Sequence, residues 1–336
     1  MIDREDGTAV TATLIGMASN EKVDDVSAAQ HAIGRRFAGY RLNLNMSSPM
    51  PGDDELAWNA SGLWVYRNAN CEDPRTRPVF GGWAGVAAGQ ADEWLATAAR
   101  GIRRHFTSER PYVYSLHHEQ AVHSSHQCGI GCNGTPADYQ NFFRYIVEFF
   151  RNKGVADLMR FCCVPIVGQY KNDDPSDGIS AVDPGSEWVD IYGCDSYTRG
   201  TPLDKVSPQD AGIDVVGQYA ADRGKLAMIG EFGVQANTLE AAGYLNAALN
   251  LFKTQGNWFA VFTNAASMGS ALIPVWRDAA SDPAFAFASG MPAFASDRNH
   301  VTEDGRRIGP RTRSPEVIAI WLSDGGYDAV EGTNAL

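Results

Sequence analysis

The sequence lacks any apolar run long enough to cross a membrane, since no uninterrupted apolar stretch reaches 18 residues. Positive charge is also scarce. Its 28 lysines and arginines, of which only 6 are lysines, face 40 acidic residues and leave a net charge of −12. That sign is unsuited to binding a nucleic acid backbone. Six cysteines in 336 residues are too few for a disulfide scaffold. We therefore expect neither a membrane nor a nucleic acid as a partner.

The amino terminus, from Met1 to Gly7, is polar and acidic where a secretory signal would be basic and then apolar. Either the protein stays inside the cell or a leader has been removed. What the chain does contain is 44% hydrophobic residues against 20% charged, with 8 Trp, 12 Tyr and 15 Phe. Such a composition can bury a large core and excludes wholesale disorder.

Short apolar segments, mostly separated by helical spacing, recur along the chain. Eight of them have the length and composition of strands buried on both faces. They are Thr11–Ser19, Phe37–Leu44, Pro78–Trp83, Pro111–Leu116, Leu158–Val164, Trp188–Cys194, Lys225–Gly230 and Trp258–Thr263. Alternation of strand and helix predicts an α/β fold with a parallel sheet.

The first of these strands decides between an open and a closed sheet. An open dinucleotide-binding sheet should carry a glycine-rich motif there, but Ile15 to Ser19 contains only one glycine. Eight units then favour a single (β/α)8 TIM barrel, which we expect to span residues 8–298. We predict a long covering loop over residues 45–77 and a polar, loosely ordered tail over residues 299–336.

Acidic residues follow two of the predicted strands directly. The fourth strand ends in His117, His118 and Glu119, and the seventh continues into Glu231. Active residues of (β/α)8 TIM-barrel enzymes lie at the carboxyl ends of the strands. Two carboxyl groups across the barrel mouth suit glycoside cleavage, because one can protonate the leaving oxygen while the other attacks the sugar or activates water. The alternative for each glutamate is an ordinary solvated loop charge.

Several segments together resemble glycoside hydrolase family 26, a mannanase-type family of retaining (β/α)8 glycosidases. His118-Glu119 is similar to its acid/base motif, and Gly230-Glu231-Phe232-Gly233 to its nucleophile site. The segment from Asp190 to Tyr197 resembles its sixth strand, in which an Asp-x-Tyr ends the strand and the Tyr contacts the nucleophile. In order and spacing, the likeness runs from about Leu14 to Phe294. It implies a cofactor-free retaining hydrolase with Glu231 as nucleophile and Glu119 as acid/base.

The resemblance further implies a β-linked polysaccharide or oligosaccharide as substrate, with β-1,4-mannan first. The chain departs from the family beside Glu119, where Tyr114 and Ser115 replace the usual arginine region and no Trp-Trp-Gly segment follows. A related β-glucan or xylan therefore stays open as substrate. A polymeric glycan would place the protein outside the cell, and we expect a monomer.

Further residues are candidates for binding the sugar. Hydrogen bonds from His118 and Tyr197 would hold Glu231 or sugar hydroxyls. Trp276 and Trp83, each expected after a strand, could stack on sugar rings, although either could equally belong to the core. Arg41 and Asn43 alternate near the end of the second strand, and one of them could instead face the helices.

A cluster of histidines and cysteines follows Glu119. Its spacing, His123-x2-His126-x-Cys128-x3-Cys132, could satisfy a tetrahedral zinc ion. The zincin spacing fails, however, because Val122 stands where the second histidine should be. We predict no metal, and either a Cys128–Cys132 bridge or free thiols. Two rival functions remain: a catalytically inactive barrel that binds glycan, and a metal-dependent hydrolase built on this loop.

Overall fold

A computed structural model describes residues 12–18, 23–71, 79–120, 133–172, 174–176, 178–198, 207–234 and 236–288. Within these ranges, eight parallel strands form one sheet in sequential order. They are β1 (Thr13–Ala18), β2 (Gly39–Asn45), β3 (Trp64–Asn70), β4 (Tyr112–Leu116), β5 (Met159–Cys163), β6 (Ile191–Tyr197), β7 (Leu226–Gly233) and β8 (Trp258–Thr263). Because β1 pairs with both β2 and β8, the sheet closes into a barrel. The predicted (β/α)8 fold is confirmed.

Helices alternate with these strands and cover the barrel. In the described ranges they are α1 (Val23–Ile33), α2 (Asp53–Ala60), α3 (Gly82–Ala87), α4 (Asp92–His105), α5 (Pro136–Asn152), α6 (Val167–Tyr170), α7 (Ile179–Val182), α8 (Ile213–Ala221), α9 (Leu239–Gln255) and α10 (Ile273–Ser281). A two-residue strand, β9 (Phe285–Ala286), pairs in parallel with β1. No helix in the described part of the chain is long and apolar enough to span a bilayer.

The inside of the barrel is filled by side chains rather than open. Tyr66 of β3 and Phe262 of β8 pack with their ring centroids 5.0 Å apart. They belong to a buried cluster that also contains Val113, Cys162, Val164, Ile191, Met228, Phe259 and Ala260. Close packing explains the glycine in β1, because a Cβ at Gly16 would come within 2.5 Å of the Phe262 ring. Function must therefore lie at the rim of the barrel.

The third strand does not lie at Pro78–Trp83, where the sequence pattern predicted it, and that prediction was wrong. The strand is Trp64–Asn70, within the segment expected to be loop, which also contains α2. A search for apolar strands did not find it, because Arg67 and Asn68 are polar. Both are nevertheless fully buried in the structure. The segment chosen instead forms a 3-10 turn and α3, because Phe80, Gly81 and Gly82 take positive φ values that no strand allows.

Three other predictions fall partly or wholly outside the described residues. These are the proposed domain boundaries at 8 and 298, the loosely ordered tail over 299–336, and the loop that contains His123, His126, Cys128 and Cys132. They stay predictions. Cys162 and Cys163, by contrast, are both buried on β5, and neither forms a disulfide within the described residues.

Candidate active site

The carboxyl ends of β2, β4, β6 and β7 bring a group of charged side chains together. Arg41 lies on β2, Asp195 on β6 and Glu231 on β7, while His118 and Glu119 follow β4 directly. Parallel strands of a barrel end at the same rim, so residues remote in sequence meet there. The structure thus gathers the two glutamates that the sequence singled out.

An irregularity between β6 and β7 sets the direction of Glu231. The register shifts after Cys194, so that Asp195 pairs with Glu231 and Gly230 is passed over. Such a bulge re-aims the side chains that follow it. Only glycine fits at position 230, because a Cβ there would lie 2.5 Å from Oδ1 of Asp195 and 3.2 Å from the Tyr66 hydroxyl.

Three side chains hold the Glu231 carboxylate. Arg41 Nη1 forms an ion pair with Oε1, and Asn43 Nδ2 donates to the same oxygen at 3.2 Å. The Tyr197 hydroxyl donates to Oε2. Both oxygens are therefore engaged, and only 11% of the side chain is exposed. Arg41 and Asn43 both reach the site, so neither faces the helices.

His118 lies between the acidic groups. Its Nε2 is 3.9 Å from Oε1 of Glu231 and 4.0 Å from Oε2 of Glu119. Burial, reinforced by the positive charge of Arg41, holds the pKa of His118 well below its ordinary value. The imidazole is therefore neutral near pH 7, and the two carboxyl groups lie around one uncharged nitrogen.

Glu119 has the environment of a carboxyl group that keeps its proton. Burial raises its pKa above the ordinary value, and the positive charge of Arg41 opposes that rise. Its side chain is nevertheless 26% exposed, more than twice the exposed fraction of Glu231. Glu119 can therefore both hold a proton and meet a bound molecule.

Asp195 was missed as a site residue in its own right. Its side chain is fully buried, 3.5 Å from Arg41 Nη2 and 3.6 Å from Nε2 of His118, and neither oxygen accepts a hydrogen bond from the described residues. Burial raises its pKa to about 8, with Arg41 lowering it and Glu119 raising it. The available signal was the Asp-x-Tyr spacing, since alternation along β6 puts Asp195 and Tyr197 on one face.

A metal ion would find donors at the same place. One atom each from His118, Glu119 and Asp195 lie within 4.8 Å of one another. The guanidinium of Arg41 already faces Asp195, and its positive charge disfavours a second cation there. The residues of the predicted alternative zinc loop lie outside the described residues, so the absence of a metal stays a prediction.

The prediction that Trp83 and Trp276 stack on sugar rings was wrong. Trp83 and Trp276 are both fully buried, so neither ring offers a face to a ligand. Trp83 lies on α3 and packs edge-on against Tyr139, while the indole of Trp276 on α10 donates to the Ser267 carbonyl at 2.9 Å. The reason is that residue type alone does not distinguish a core tryptophan from a rim tryptophan.

Comparison with known proteins adds a family and a fold. The model of a family described as glycosyl hydrolase family 26 matches residues 77–263. A mannan endo-1,4-beta-mannosidase of Bifidobacterium adolescentis is 27% identical over 157 residues, which are 46% of this chain. That alignment covers only 15% of the bifidobacterial protein, so the chain spans a small part of this curated relative.

Solved structures of similar fold include three enzymes from bacteria. The catalytic domain of the Bacillus sp. JAMB-750 endo-beta-1,4-mannanase has a TM-score of 0.59 at 18% identity, covering 82% of this chain and 87% of that one. The modular endo-beta-1,4-mannanase from Cellulomonas fimi gives 0.61 at 21%, covering 90% and 78%. A beta-mannanase from Bacteroides ovatus gives 0.59 at 14%, covering 86% and 95%. At these identities the likeness shows the fold.

Proposed function

The chain belongs to glycosyl hydrolase family 26, whose model matches more than half of its residues, and we propose that it hydrolyses a β-linked glycan with retention of configuration. The observation that carries this proposal is the placement of Glu119 and Glu231 around Nε2 of His118, at 4.0 and 3.9 Å. A double displacement needs two carboxyl groups at one anomeric carbon, one charged and one protonated.

Glu231 is the proposed nucleophile. Its carboxylate would attack the anomeric carbon, forming the bond from glutamate to sugar as the glycosidic carbon–oxygen bond breaks. Arg41 favours the charged form, and the hydrogen bonds from Tyr197 and Asn43 fix its orientation before attack. Holding the nucleophile in one geometry lowers the entropic cost of reaching the transition state.

Glu119 is the proposed acid/base. It would give its proton to the departing oxygen in the first step and take a proton from water in the second, when that water displaces Glu231 from the sugar. The raised pKa of Glu119 supports the first role, because a carboxyl group must still carry its proton near neutral pH to act as an acid.

For the substrate, we propose β-1,4-mannan first. The bifidobacterial relative is a mannan endo-1,4-beta-mannosidase, and the three solved structures described above are mannanases. The departures beside Glu119 leave β-glucan and xylan as the substrates to test next. A glycan polymer also agrees with an acidic protein, since a neutral substrate needs no electrostatic steering.

The test begins with a panel of mannan, mixed-linkage glucan and xylan, assayed for new reducing ends. Glu231→Ala and Glu119→Ala should each lower the rate by several orders of magnitude. Azide should partly rescue Glu231→Ala by replacing the nucleophile, and proton NMR of early wild-type product should show the β anomer. Glu148→Ala, at an exposed position on α5, is the matched control and should keep the wild-type rate.

Other outcomes would separate the rival functions. Binding of a panel glycan without any new reducing ends would indicate an inactive binding barrel. Loss of activity after dialysis against a chelator, restored by zinc, would indicate the metal-dependent hydrolase. Wild-type rates in Glu231→Ala, or no rescue by azide, would overturn the assignment of the nucleophile.

A further inference from the structure

The turn that presents Glu119 is strained. His117 and Glu119 have φ values of 55° and 51°, in the left-handed region that residues with a side chain rarely adopt. Strain of this kind persists only where the surroundings hold it, so the contacts of this turn decide where Glu119 points.

The backbone of the turn is tied to both neighbouring strands. The His117 amide donates to the Ala69 carbonyl at 3.0 Å, and the Glu119 amide to the Val164 carbonyl at 2.8 Å. Between them, the His118 amide donates to Oδ1 of Asn68 at 2.9 Å. Three consecutive amides are therefore fixed, on the β3 side and at the end of β5.

The side chain of His117 is held by two hydrogen bonds to its Nδ1. Its Nδ1 accepts hydrogen bonds from the indole nitrogen of Trp83 at 3.1 Å and from the Cys71 amide at 3.3 Å. Since both partners can only donate, Nδ1 carries no proton and the imidazole is the tautomer protonated at Nε2. One ring nitrogen thus couples the strained turn to α3.

Trp83 is itself held rigidly. Its amide donates to the Asn133 carbonyl at 3.0 Å, and its ring packs edge-on against Tyr139 of α5, with the centroids 5.1 Å apart. The Tyr139 hydroxyl in turn donates to the carbonyl of Leu116, the last residue of β4, at 2.9 Å. Trp83 of α3 and Tyr139 of α5 therefore form a buried contact beside the end of the strand from which the turn emerges.

We propose that Trp83 is a positioning residue: through the hydrogen bond to His117 it holds the turn that aims Glu119 at the leaving-group oxygen. This inference rests on the proposed function only for the role of Glu119. Trp83 is fully buried and would not touch substrate. Its removal should therefore impair acid assistance rather than substrate binding.

Trp276 provides a matched control. It is also fully buried, and its indole also donates one hydrogen bond, to the Ser267 carbonyl at 2.9 Å. It lies on α10, which packs against α1 and α9 rather than against β4. Trp83→Phe and Trp276→Phe remove the same indole N–H and comparable ring area, so they should lose comparable stability.

The first experiment compares leaving groups. Aryl β-glycosides of the sugar identified by the panel are assayed with a poor leaving group and with dinitrophenolate, which departs without a proton. Trp83→Phe should lower kcat/KM for the poor leaving group by about 10- to 100-fold, because acid catalysis contributes about 10²- to 10⁴-fold. It should lower the dinitrophenyl value by less than about threefold, and KM should change little. Trp276→Phe should show no dependence on the leaving group.

A second experiment does not depend on activity. The carboxyl carbon of Glu119, assigned by comparison with Glu119→Gln, is followed by NMR as the pH is raised. In Trp83→Phe, water should reach the loosened turn and the titration midpoint should fall towards that of free glutamate, whereas Trp276→Phe should keep the wild-type midpoint. If the wild type cleaves no glycoside, the proposed function fails, and this titration still decides the role of Trp83.

A second variant covers the case in which Trp83→Phe does not fold. His117→Leu removes the acceptor instead of the donor and should produce the same two changes. If both variants fold, the double variant should lower kcat/KM for the poor leaving group no further than either single variant does. An unchanged midpoint with unchanged leaving-group dependence in either variant, or equal changes in Trp276→Phe, would overturn the proposal.

Discussion

One guanidinium group faces two carboxyl groups of the candidate site: Arg41 forms an ion pair with Glu231 through Nη1, and its Nη2 lies 3.5 Å from Asp195. Its side chain is fully buried, and Nη1 also donates to the Gly230 carbonyl at 3.2 Å. In such surroundings a charge acts strongly, since little water screens it. Arg41 is therefore the main source of positive charge for Glu231.

Arg41→Met should lower kcat/KM by about 10²- to 10³-fold, the usual cost of losing one well-placed electrostatic partner. The reason is that the mostly buried Glu231 carboxylate would lose its ion-pair partner, which disfavours the charged form that must attack the sugar. Kinetics on the best panel substrate, with circular dichroism to check folding, measures this. Arg100→Met, on the exposed face of α4, is the control. Equal activities of the two variants would show that Arg41 serves only the barrel structure.

Tyr197→Phe should lower kcat/KM by about 10- to 100-fold, because a hydrogen bond to a charged group contributes about 1.5–3 kcal/mol. The change removes only the hydroxyl that donates to Oε2 of Glu231. Tyr219→Phe removes a hydroxyl of the same kind, which donates to Oδ2 of Asp183 at 2.6 Å, and should leave kcat/KM unchanged. A larger loss in Tyr219→Phe than in Tyr197→Phe would contradict the role of the hydroxyl at Glu231.

The barrel could be predicted because its strands are apolar and alternate with helices, a pattern that needs no knowledge of partners. β3 escaped that reasoning. Its Arg67 is buried because it pairs with Glu55 of α2 at 3.1 Å, and its Asn68 because it accepts from the His118 amide. Hydropathy cannot reveal such residues. Their burial is favourable only because the fold brings a hydrogen-bonding or ion-pair partner to each of them.

The site was predictable to the extent that it obeys the rule of strand ends. That rule led to Glu119 and Glu231, which the structure brings to one rim, while Tyr197, which contacts Glu231 there, came from the family resemblance. It could not rank the tryptophans, because burial depends on the packing of α3 and α10. It also could not assign a role to Asp195, whose distinguishing property is a buried position beside Arg41 rather than its residue type.

Asp195 should make stability depend on pH. Its pKa is about 8 in the folded protein and near 3.9 in an unfolded chain, so the folded state binds more protons between these values. The corresponding stability is fully present below about pH 4 and is lost as the pH rises through about 8. The side chain of Asp195→Asn cannot ionise. As the pH rises from 5 to 7, the free energy of unfolding of this variant should therefore increase by at least about 1 kcal/mol relative to that of the wild type.

Urea denaturation at several pH values measures this gain. Asp157→Asn changes an exposed aspartate in the same way and is the control. Its free energy of unfolding should run parallel to that of the wild type over the whole range. If Asp195→Asn also runs parallel, Asp195 is ionised at neutral pH in the folded protein, and its burial is compensated by Arg41.

The buried pair of Glu55 and Arg67 should contribute to stability in a way that depends on both partners being present. Arg67 also donates to the Pro49 carbonyl at 2.7 Å, and the Tyr112 hydroxyl donates to Glu55 at 2.6 Å. Arg67→Met would leave the Glu55 charge buried beside a neutral side chain and should cost about 3–5 kcal/mol.

The variant that combines Arg67→Met with Glu55→Leu removes both charges and should recover part of that loss, because an apolar pair needs no compensation. Lys253→Met is the matched control: it breaks an exposed pair with Asp282, 2.7 Å apart, and should cost no more than about 1 kcal/mol. Urea denaturation of the wild type, Arg67→Met, the double variant and Lys253→Met measures these differences in the free energy of unfolding. If the double variant is less stable than Arg67→Met, the hydrogen bonds that Glu55 accepts from Tyr112 and Gly52 outweigh its unpaired charge.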